Sequence, residues 1–238
     1  MMKFTQHHSS SKGNLYVIEL ASGNQIIIDP GVPFAKLKKA MKYDLSKVVC
    51  CLLSHEHLDH SKSVVDLLKA GIPVYASQGT LESLHLDLVR NANIVKHGVS
   101  VWLEGLVGFY PFSVEHDATE PFGFYVCDID TEDYLFYAVD LAFCETLPSL
   151  PFSIIAIECS FDKYLLEQNI LDKKIYESVA KRLLDSHMEF SVCLDYLKKC
   201  NLSKCQKIHL LHCSKMNLDI RKAKKIIEQE LFIEVVTK

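Results

Sequence analysis

The chain has 238 residues, 49% of them hydrophobic and 24% charged, a balance that excludes extensive disorder and is enough for one domain with a sizeable core. The formal net charge of −4 excludes a general nucleic-acid coat but not a local basic groove. Neither composition nor linkers mark a second domain, so we expect a single domain over residues 1–238. The cysteine usage fits a reducing compartment, and we expect a cytoplasmic location. No apolar run reaches the roughly 18 residues that span a bilayer, so we expect no membrane partner.

The first half of the chain alternates strand and helix patterns. Two apolar runs flank Ser22-Gly23-Asn24, which predicts a β-hairpin around that turn. Gly71 is placed to end a helix whose apolar stripe precedes it. We interpret His7, His8 and the serines after them as native loop sequence. The predicted elements, in chain order, are strands at 14–20 and 25–29, a helix at 33–41, a strand at 47–54, a helix at 61–70, a strand at 72–76 and a helix at 80–90.

The second half begins with a strand meander and continues with a mixed pattern of strands and helices. Its order predicts an α/β architecture with two mixed sheets between outer helices. The predicted elements are strands at 107–116, 122–129, 134–139, 152–158 and 207–212, two or three helices within 162–199, and a last helix at 219–231.

One segment concentrates candidate metal ligands. The segment begins at the end of the predicted strand at 47–54 and has four ligand-type side chains within six residues. Its sequence is Ser54-His55-Glu56-His57-Leu58-Asp59-His60. In a loop that leaves a strand, His55 and His57 can face one ion while Asp59 and His60 face another. Neutral imidazoles together with carboxylates suit zinc, manganese or iron. A histidine-rich loop without metal is the alternative.

This segment resembles the HxHxDH motif of the metallo-β-lactamase superfamily. Candidates for that family's remaining ligands follow in the expected order, each at the end of a predicted strand: His116, Asp140 and His212. The resemblance implies an α/β fold of four αββα layers, in which two mixed β-sheets are flanked by helices. It also implies two divalent metal ions, Zn²⁺ or Mn²⁺, with these ligands: His55, His57 and His116 for the first ion, Asp59, His60 and His212 for the second, and Asp140 between them.

Two further segments resemble parts of the same superfamily. The segment from Ser9 to Asn14 is similar to the Ser- and Gly-rich loop before the first long strand, and Asp29-Pro30-Gly31 is similar to the DxG turn. The Asp29 carboxylate could orient a ligand histidine through a hydrogen bond and fix its tautomer. A plain turn aspartate is the alternative.

The part of the chain after Asp140 resembles single-domain phosphodiesterases of the YycJ/WalJ and RNase Z-like branch. The resemblance implies that His187 contacts the scissile phosphate, where it stabilises charge or protonates a leaving oxygen. A surface-turn histidine is the alternative, since Ser160 departs from the expected asparagine. Three segments carry the resemblance: 158–162 to E-x-N-x-D, 185–190 to a GHLS-like turn, and 211–217 to LSHLSxxN.

The implied activity is that of a two-metal phosphodiesterase, in which a metal-bridging hydroxide attacks phosphorus, Asp59 orients it and His187 meets the charge on the far side. The expected partner is a nucleotide or nucleic-acid phosphodiester substrate. We favour a cyclic nucleotide, because no contiguous basic track for a duplex is visible. The same branch includes phage anti-defence enzymes of the anti-Pycsar type, which degrade cyclic nucleotide signals. A phage origin would place the protein in the host cytoplasm.

Other activities stay open at this point. They are a DNA exonuclease of the YycJ/WalJ type or another nuclease, a lactonase or thiolester hydrolase, and a binding protein without catalysis. A homodimer is also left open.

The cysteines and arginines complete the sequence-based expectations. The nine cysteines show neither paired spacing nor a preceding signal peptide, so we expect reduced, buried thiols. The chain has three arginines, Arg90, Arg182 and Arg221, which are the candidates for bidentate phosphate contacts.

Overall fold

The computed structural model describes residues 1–103, 105–144 and 149–238. Its strands form two mixed β-sheets flanked by helices, as predicted. The chain divides into two compact units: Met1–Ser113 with Ala118–Asp133 and Lys238, and Val114–Asp117 with Tyr134–Thr237. The expectation of one domain over 1–238 stays a prediction.

The first unit contains a six-stranded sheet in the order β1-β2-β3-β4-β5-β6. Strands β1 to β3 pair antiparallel and β3 to β6 pair parallel, while β7, β8 and β9 form an antiparallel ladder. The strands are β1 Lys3–His8, β2 Leu15–Glu19, β3 Gln25–Ile28, β4 Val48–Leu52, β5 Val74–Ala76, β6 Ala92–Ile94, β7 Val101–Leu103, β8 Val107–Ser113 and β9 Phe122–Asp128. The helices are α1 Phe34–Ala40, α2 Leu58–Ser61, α3 Val64–Lys69 and α4 Gln78–Ser83.

The central strands of this sheet explain where the candidate ligands begin. Residues 26–28 of β3 and 50–52 of β4 are fully buried, as expected for parallel strands that are covered on both faces. The two strands pair in parallel, and the Asp29 backbone N–H donates to the Leu52 carbonyl. Their carboxyl ends therefore bring the turn at Asp29 next to the segment that starts at Ser54.

The second unit contains the parallel strands β10, β11, β12 and β13 as neighbours in that order. Side chains cap three of its helices: Asp162, Glu189 and Asp219 accept from the backbone N–H groups of the first turns of α5, α7 and α8. The strands are β10 Asp133–Ala138, β11 Ile154–Glu158, β12 Lys207–Leu211 and β13 Glu234–Val236. The helices are α5 Lys163–Leu171, α6 Glu177–Ser186, α7 Phe190–Lys199 and α8 Ile220–Leu231.

Several sequence-based boundaries were wrong. The helix expected at 80–90 ends at Ser83, because His85 and Asn91 adopt positive φ angles of 56° and 68° that break a right-handed helix. The helix expected at 61–70 is shorter: it is α3, from Val64 to Lys69, and a separate one-turn helix, α2, ends at Ser61. The expected ligand loop is partly helical too, since α2 begins at Leu58 with His57 as its N-cap.

The short or polar strands were missed. His7 and His8, interpreted as loop, end β1, which pairs antiparallel with β2 from Lys3 opposite Glu19. The strands β6, β7 and β13 have three residues each, too few to show a period-2 pattern. Within the described ranges, no helix combines the length and apolar character needed to cross a membrane.

Candidate metal centre and active site

The HxHxDH segment of the first unit gathers three histidine rings. His55 follows β4 and is 1% exposed, and His60 is fully buried on the one-turn helix α2. The His55 ring centroid lies 4.7 Å from that of His57 and 4.2 Å from that of His60. Asp59 is more open, with 27% of its side chain exposed and Oδ2 at 3.8 Å from His60 Nε2. The segment therefore clusters the four candidate ligands that the sequence predicts here.

The Asp29 carboxylate contacts both His60 and Ser54 of this segment. Its Oδ2 lies 2.8 Å from His60 Nδ1, and both its oxygens accept from Ser54, one from the backbone N–H and one from the hydroxyl. The Ser54 hydroxyl also lies 2.9 Å from His55 Nδ1. The predicted contact between Asp29 and a candidate ligand histidine is confirmed. A buried carboxylate on Nδ1 keeps the proton there and leaves Nε2 as the coordinating nitrogen.

Asn14 meets the other ring nitrogen of His60. The Asn14 Nδ2 atom lies 2.9 Å from His60 Nε2, and the orientation of the amide is fixed because its Oδ1 accepts from the Ser10 N–H and the Tyr16 hydroxyl. The same Nδ2 donates to the Asp59 carbonyl. His60 can coordinate through Nε2 only when this amide moves off that nitrogen. Sequence reasoning placed Asn14 in a family-like loop without noticing this contact.

In the second unit, Asp140 lies between two of the predicted ligands. Its Oδ2 is 3.8 Å from His116 Nε2, and its Oδ1 is 3.5 Å from His212 Nδ1. Asp140 and His212 follow β10 and β12 and have positive φ angles of 52° and 51°. The Asp140 carboxylate therefore directs one oxygen toward each of two candidate ligand imidazoles.

His187 lies beside this cluster and is held by a residue that sequence reasoning missed. It follows α6, and α7 begins three residues later, so the predicted turn between two helices is confirmed. Its Nδ1 lies 2.7 Å from Oε1 of the fully buried Glu158, and its ring stacks on that of His212 at 5.1 Å. The other Glu158 oxygen accepts from the Leu141 N–H. The only sequence signal for Glu158 was its place in the E-x-N-x-D-like segment.

The pKa shifts describe an ion pair. Burial by itself would raise the pKa of the Glu158 carboxyl, but His187 and then His212 hold that pKa below its ordinary value. Burial likewise works against a charged His187 ring, yet Glu158 and then Asp140 raise the pKa of His187 to about 9. Without bound metal, His187 is therefore protonated near neutral pH. Burial also opposes charge on His212, whose pKa Asp140 and Glu158 nevertheless raise, so a proton and a metal ion compete for this ring.

The donor set of the second unit fits a divalent cation. Ligand-type atoms of Asp140, Glu158, His187 and His212 lie within 4.8 Å of one another, all on buried or half-buried residues. Buried carboxylates and imidazoles at this spacing are typical ligands and outer partners of divalent transition metals. The expectation of metal binding is supported at this coarse level.

The sequence profile of the beta-lactamase superfamily domain matches residues 24–210. The chain belongs to this superfamily. The predicted family, fold class and enzyme class are thereby confirmed, since the fold is that of the superfamily's metal-dependent hydrolases. No curated protein is similar enough in sequence to match the chain.

Solved structures agree on the fold of this superfamily member. The metallo-β-lactamase fold protein YhfI from Bacillus subtilis has a TM-score of 0.74 at 15% identity, covering 100% of this chain and 96% of that chain. A diphosphatase of the PhnP family has a TM-score of 0.66 at 14% identity, with 99% and 95% covered. The short form of human tRNase Z has a TM-score of 0.61 at 16% identity, with 100% and 96% covered. At these identities the likeness concerns the fold.

Proposed function

We propose that the protein is a two-metal phosphodiesterase whose favoured substrate is a cyclic nucleotide. The observation that carries the proposal is the buried pair of Glu158 and His187, with His187 Nδ1 3.9 Å from Asp140 Oδ1. An imidazolium beside the candidate ligands suits a reaction in which negative charge develops on the substrate. Phosphodiester cleavage is such a reaction, and its alkoxide leaving group also needs a proton.

We assign the candidate metal ligands the roles that membership of the superfamily implies. His55, His57 and His116 would hold one ion, Asp59, His60 and His212 would hold the other, and Asp140 would contact both. Divalent ions, when bound there, supply an activated water and polarise the phosphoryl oxygens. Zn²⁺ and Mn²⁺ both suit this mixture of imidazoles and carboxylates.

The remaining steps belong to side chains of this chain. Asp59 orients the attacking water through its carboxylate. His187 faces the leaving side, where its proton can pass to the departing oxygen while Glu158 stabilises the ring. Glu158 is a positioning residue in this scheme, because it acts through His187.

A cyclic nucleotide is favoured over a long nucleic acid by the charge of the chain. A net charge of −4 offers no general attraction for a polyanion, and the three arginines lie on separate segments of the chain. A DNA or RNA nuclease is the second candidate, since the short form of human tRNase Z has the same fold. Removal of cyclic nucleotide signals, as in phage anti-defence, would be the biological role of the favoured activity.

A substrate panel tests the proposal. Metal-loaded protein is incubated with bis-para-nitrophenyl phosphate, cyclic mononucleotides, cyclic dinucleotides, linear DNA and an acyl thiolester, and products are identified by chromatography. We expect hydrolysis of the phosphodiesters, fastest for the cyclic mononucleotides. Cleavage of the thiolester without cleavage of any phosphodiester would overturn the proposal.

The metal requirement is tested by composition. Elemental analysis should find two transition-metal ions per chain, and Asp140→Ala should abolish activity and lower the metal content while circular dichroism stays unchanged. Lys198→Gln on α7, where Lys198 pairs with Glu230 at 3.1 Å, is the control and should change neither quantity. Full activity after exhaustive chelation would contradict a metal-dependent mechanism.

A further inference from the structure

A cleft of about 500 Å³ lies within the second unit and is not used by the scheme above. One wall is a face of α6, where Ser178, Lys181, Arg182 and Asp185 recur at the spacing that aligns side chains along a helix. The other wall is the segment 115–117. A volume of this size is within the range of small-molecule pockets and does not accommodate a duplex.

The cleft lies next to the candidate active site on both of its walls. His116 is one of its walls, and Ser186 at the end of α6 precedes His187. Asp117 links the two walls: its Oδ1 lies 3.1 Å from His116 Nε2, and its Oδ2 lies 3.3 Å from Arg182 Nη2. A molecule whose phosphate reaches His187 therefore has room to extend its remaining part into this cleft.

The charges of the residues that line the cleft determine which chemical group can bind there. The carboxylates of Glu115, Asp117 and Asp185 outnumber the cations of Lys181 and Arg182 by one. A second phosphate group in the cleft would meet this negative excess at short range. A neutral group that carries both donors and acceptors can pair with the carboxylates and with the cations. Ribose hydroxyls and the polar edge of a base are groups of this kind.

We propose that the cleft binds the neutral nucleoside of a substrate with a single phosphate, and that Arg182 is a specificity-determining residue there. The inference rests on the proposed function and extends it to a nucleoside subsite. Arg182 is suited to the role because its side chain is 61% exposed and its contact with Asp117 involves one of its three nitrogens. The other donors of the guanidinium stay available for a ligand.

Binding measurements on the metal-loaded protein test the subsite without requiring turnover. Adenosine 5′-monophosphate and inorganic phosphate are each titrated by calorimetry into the wild type, Arg182→Gln and the control Lys198→Gln. We expect Arg182→Gln to weaken nucleotide binding about tenfold, the usual effect of losing a hydrogen bond to a charged group, and phosphate binding by less than about twofold. The control should change neither.

A second variant, Asp185→Lys, tests the role of the lining charges. Asp185→Lys turns the negative excess of the lining into a positive one, so adenosine 3′,5′-bisphosphate, whose second phosphate is on the ribose, should gain about tenfold in affinity relative to the monophosphate. Three results would overturn the subsite: no binding of the monophosphate, equal weakening of nucleotide and phosphate in Arg182→Gln, or tighter binding of the bisphosphate than of the monophosphate by the wild type. Hydrolysis of bis-para-nitrophenyl phosphate, measured on the same samples, separates the two proposals. Nucleotide binding without hydrolysis would sink only the proposed function, and hydrolysis with any of the three results would sink only the subsite.

Discussion

His187 shows how much a single residue depends on its partner. An isolated histidine has a pKa close to 6.5 and would be mostly neutral at physiological pH. The buried Glu158 carboxylate at 2.7 Å reverses this and raises the pKa of His187 to about 9. The same contact fixes the direction of the ring, because Nδ1 is bound and Nε2 is left to meet a substrate. The proposed mechanism uses both properties in one side chain.

Replacement of this residue should therefore affect turnover more than metal content. We expect His187→Ala to keep both metal ions and to lower kcat by about a hundredfold on cyclic nucleotides, as loss of a positioned acid commonly does. The loss should be smaller on nitrophenyl esters, whose acidic leaving group needs little protonation. Steady-state kinetics on both substrates, with elemental analysis, measure these effects.

The exposed His85 supplies the matched control for this variant, because it lies outside the second unit and is not a predicted ligand. His85→Ala should leave kcat unchanged on both substrates. Equal small losses on the two substrates in His187→Ala would make His187 a structural turn residue and remove the main support for phosphate chemistry.

At the scale of elements, β12 carries a buried histidine that no proposed step uses. His209 is 4% exposed, and burial, followed by the charge of Lys207, lowers its pKa to about 4. Above pH 6.5 the ring is neutral in the folded and unfolded chains and contributes no pH dependence. Between pH 6.5 and 4 the unfolded chain takes up a proton that the folded chain does not. Stability should therefore fall as the pH falls through this window.

The expected size of this loss follows from the shift. At about 1.4 kcal/mol per pKa unit, His209 should cost on the order of 3 kcal/mol of unfolding free energy between pH 6.5 and 4. Urea unfolding of the wild type and His209→Leu across this range measures it, because the other titrating groups cancel in the difference. Parallel pH profiles for the two proteins would show that His209 is not responsible.

The turn after β3 contains a glycine, Gly31, that packs against the ligand segment. A Cβ on Gly31 would lie 1.6 Å from the Asp59 carbonyl oxygen, so this glycine lets the turn contact the ligand segment directly. Gly31→Ala should force the two apart, lower the melting temperature and reduce metal content. Gly23→Ala is the matched control, because nothing lies within 4 Å of its added carbon and only its φ of +84° is strained, at about 1 kcal/mol. Equal destabilisation in calorimetry would contradict the close approach.

At the scale of the whole molecule, the cysteines are structural thiols. None of the nine forms a disulfide; five are buried as expected, but Cys127, Cys200, Cys205 and Cys213 are only half-buried. Burial raises the pKa of Cys50 and of Cys200 to about 12. Thiol titration should find nine groups in denaturant and far fewer reacting rapidly in the native protein, and reductant should leave the melting temperature unchanged. A disulfide in freshly purified protein would contradict this, as would metal loss on cysteine substitution with the fold intact.

The sequence by itself determined the family, the fold class and the local ligand cluster. The reason is that the HxHxDH segment has four candidate ligands within six residues, and long apolar strands precede each of the remaining candidates. Short elements such as β6 and β13 show no periodic pattern, and α4 ends just before His85, which adopts a left-handed conformation without a glycine to signal it.

Only the tertiary structure decided how the site is supported. Glu158 and His187 are 29 residues apart, Asp29 and His60 are 31 apart, and Asn14 and His60 are 46 apart. No local spacing encodes such pairs, because each forms only when the fold brings distant segments of the chain together. The charge state of His187 is likewise a property of the fold, since burial and a neighbouring carboxylate produce it together.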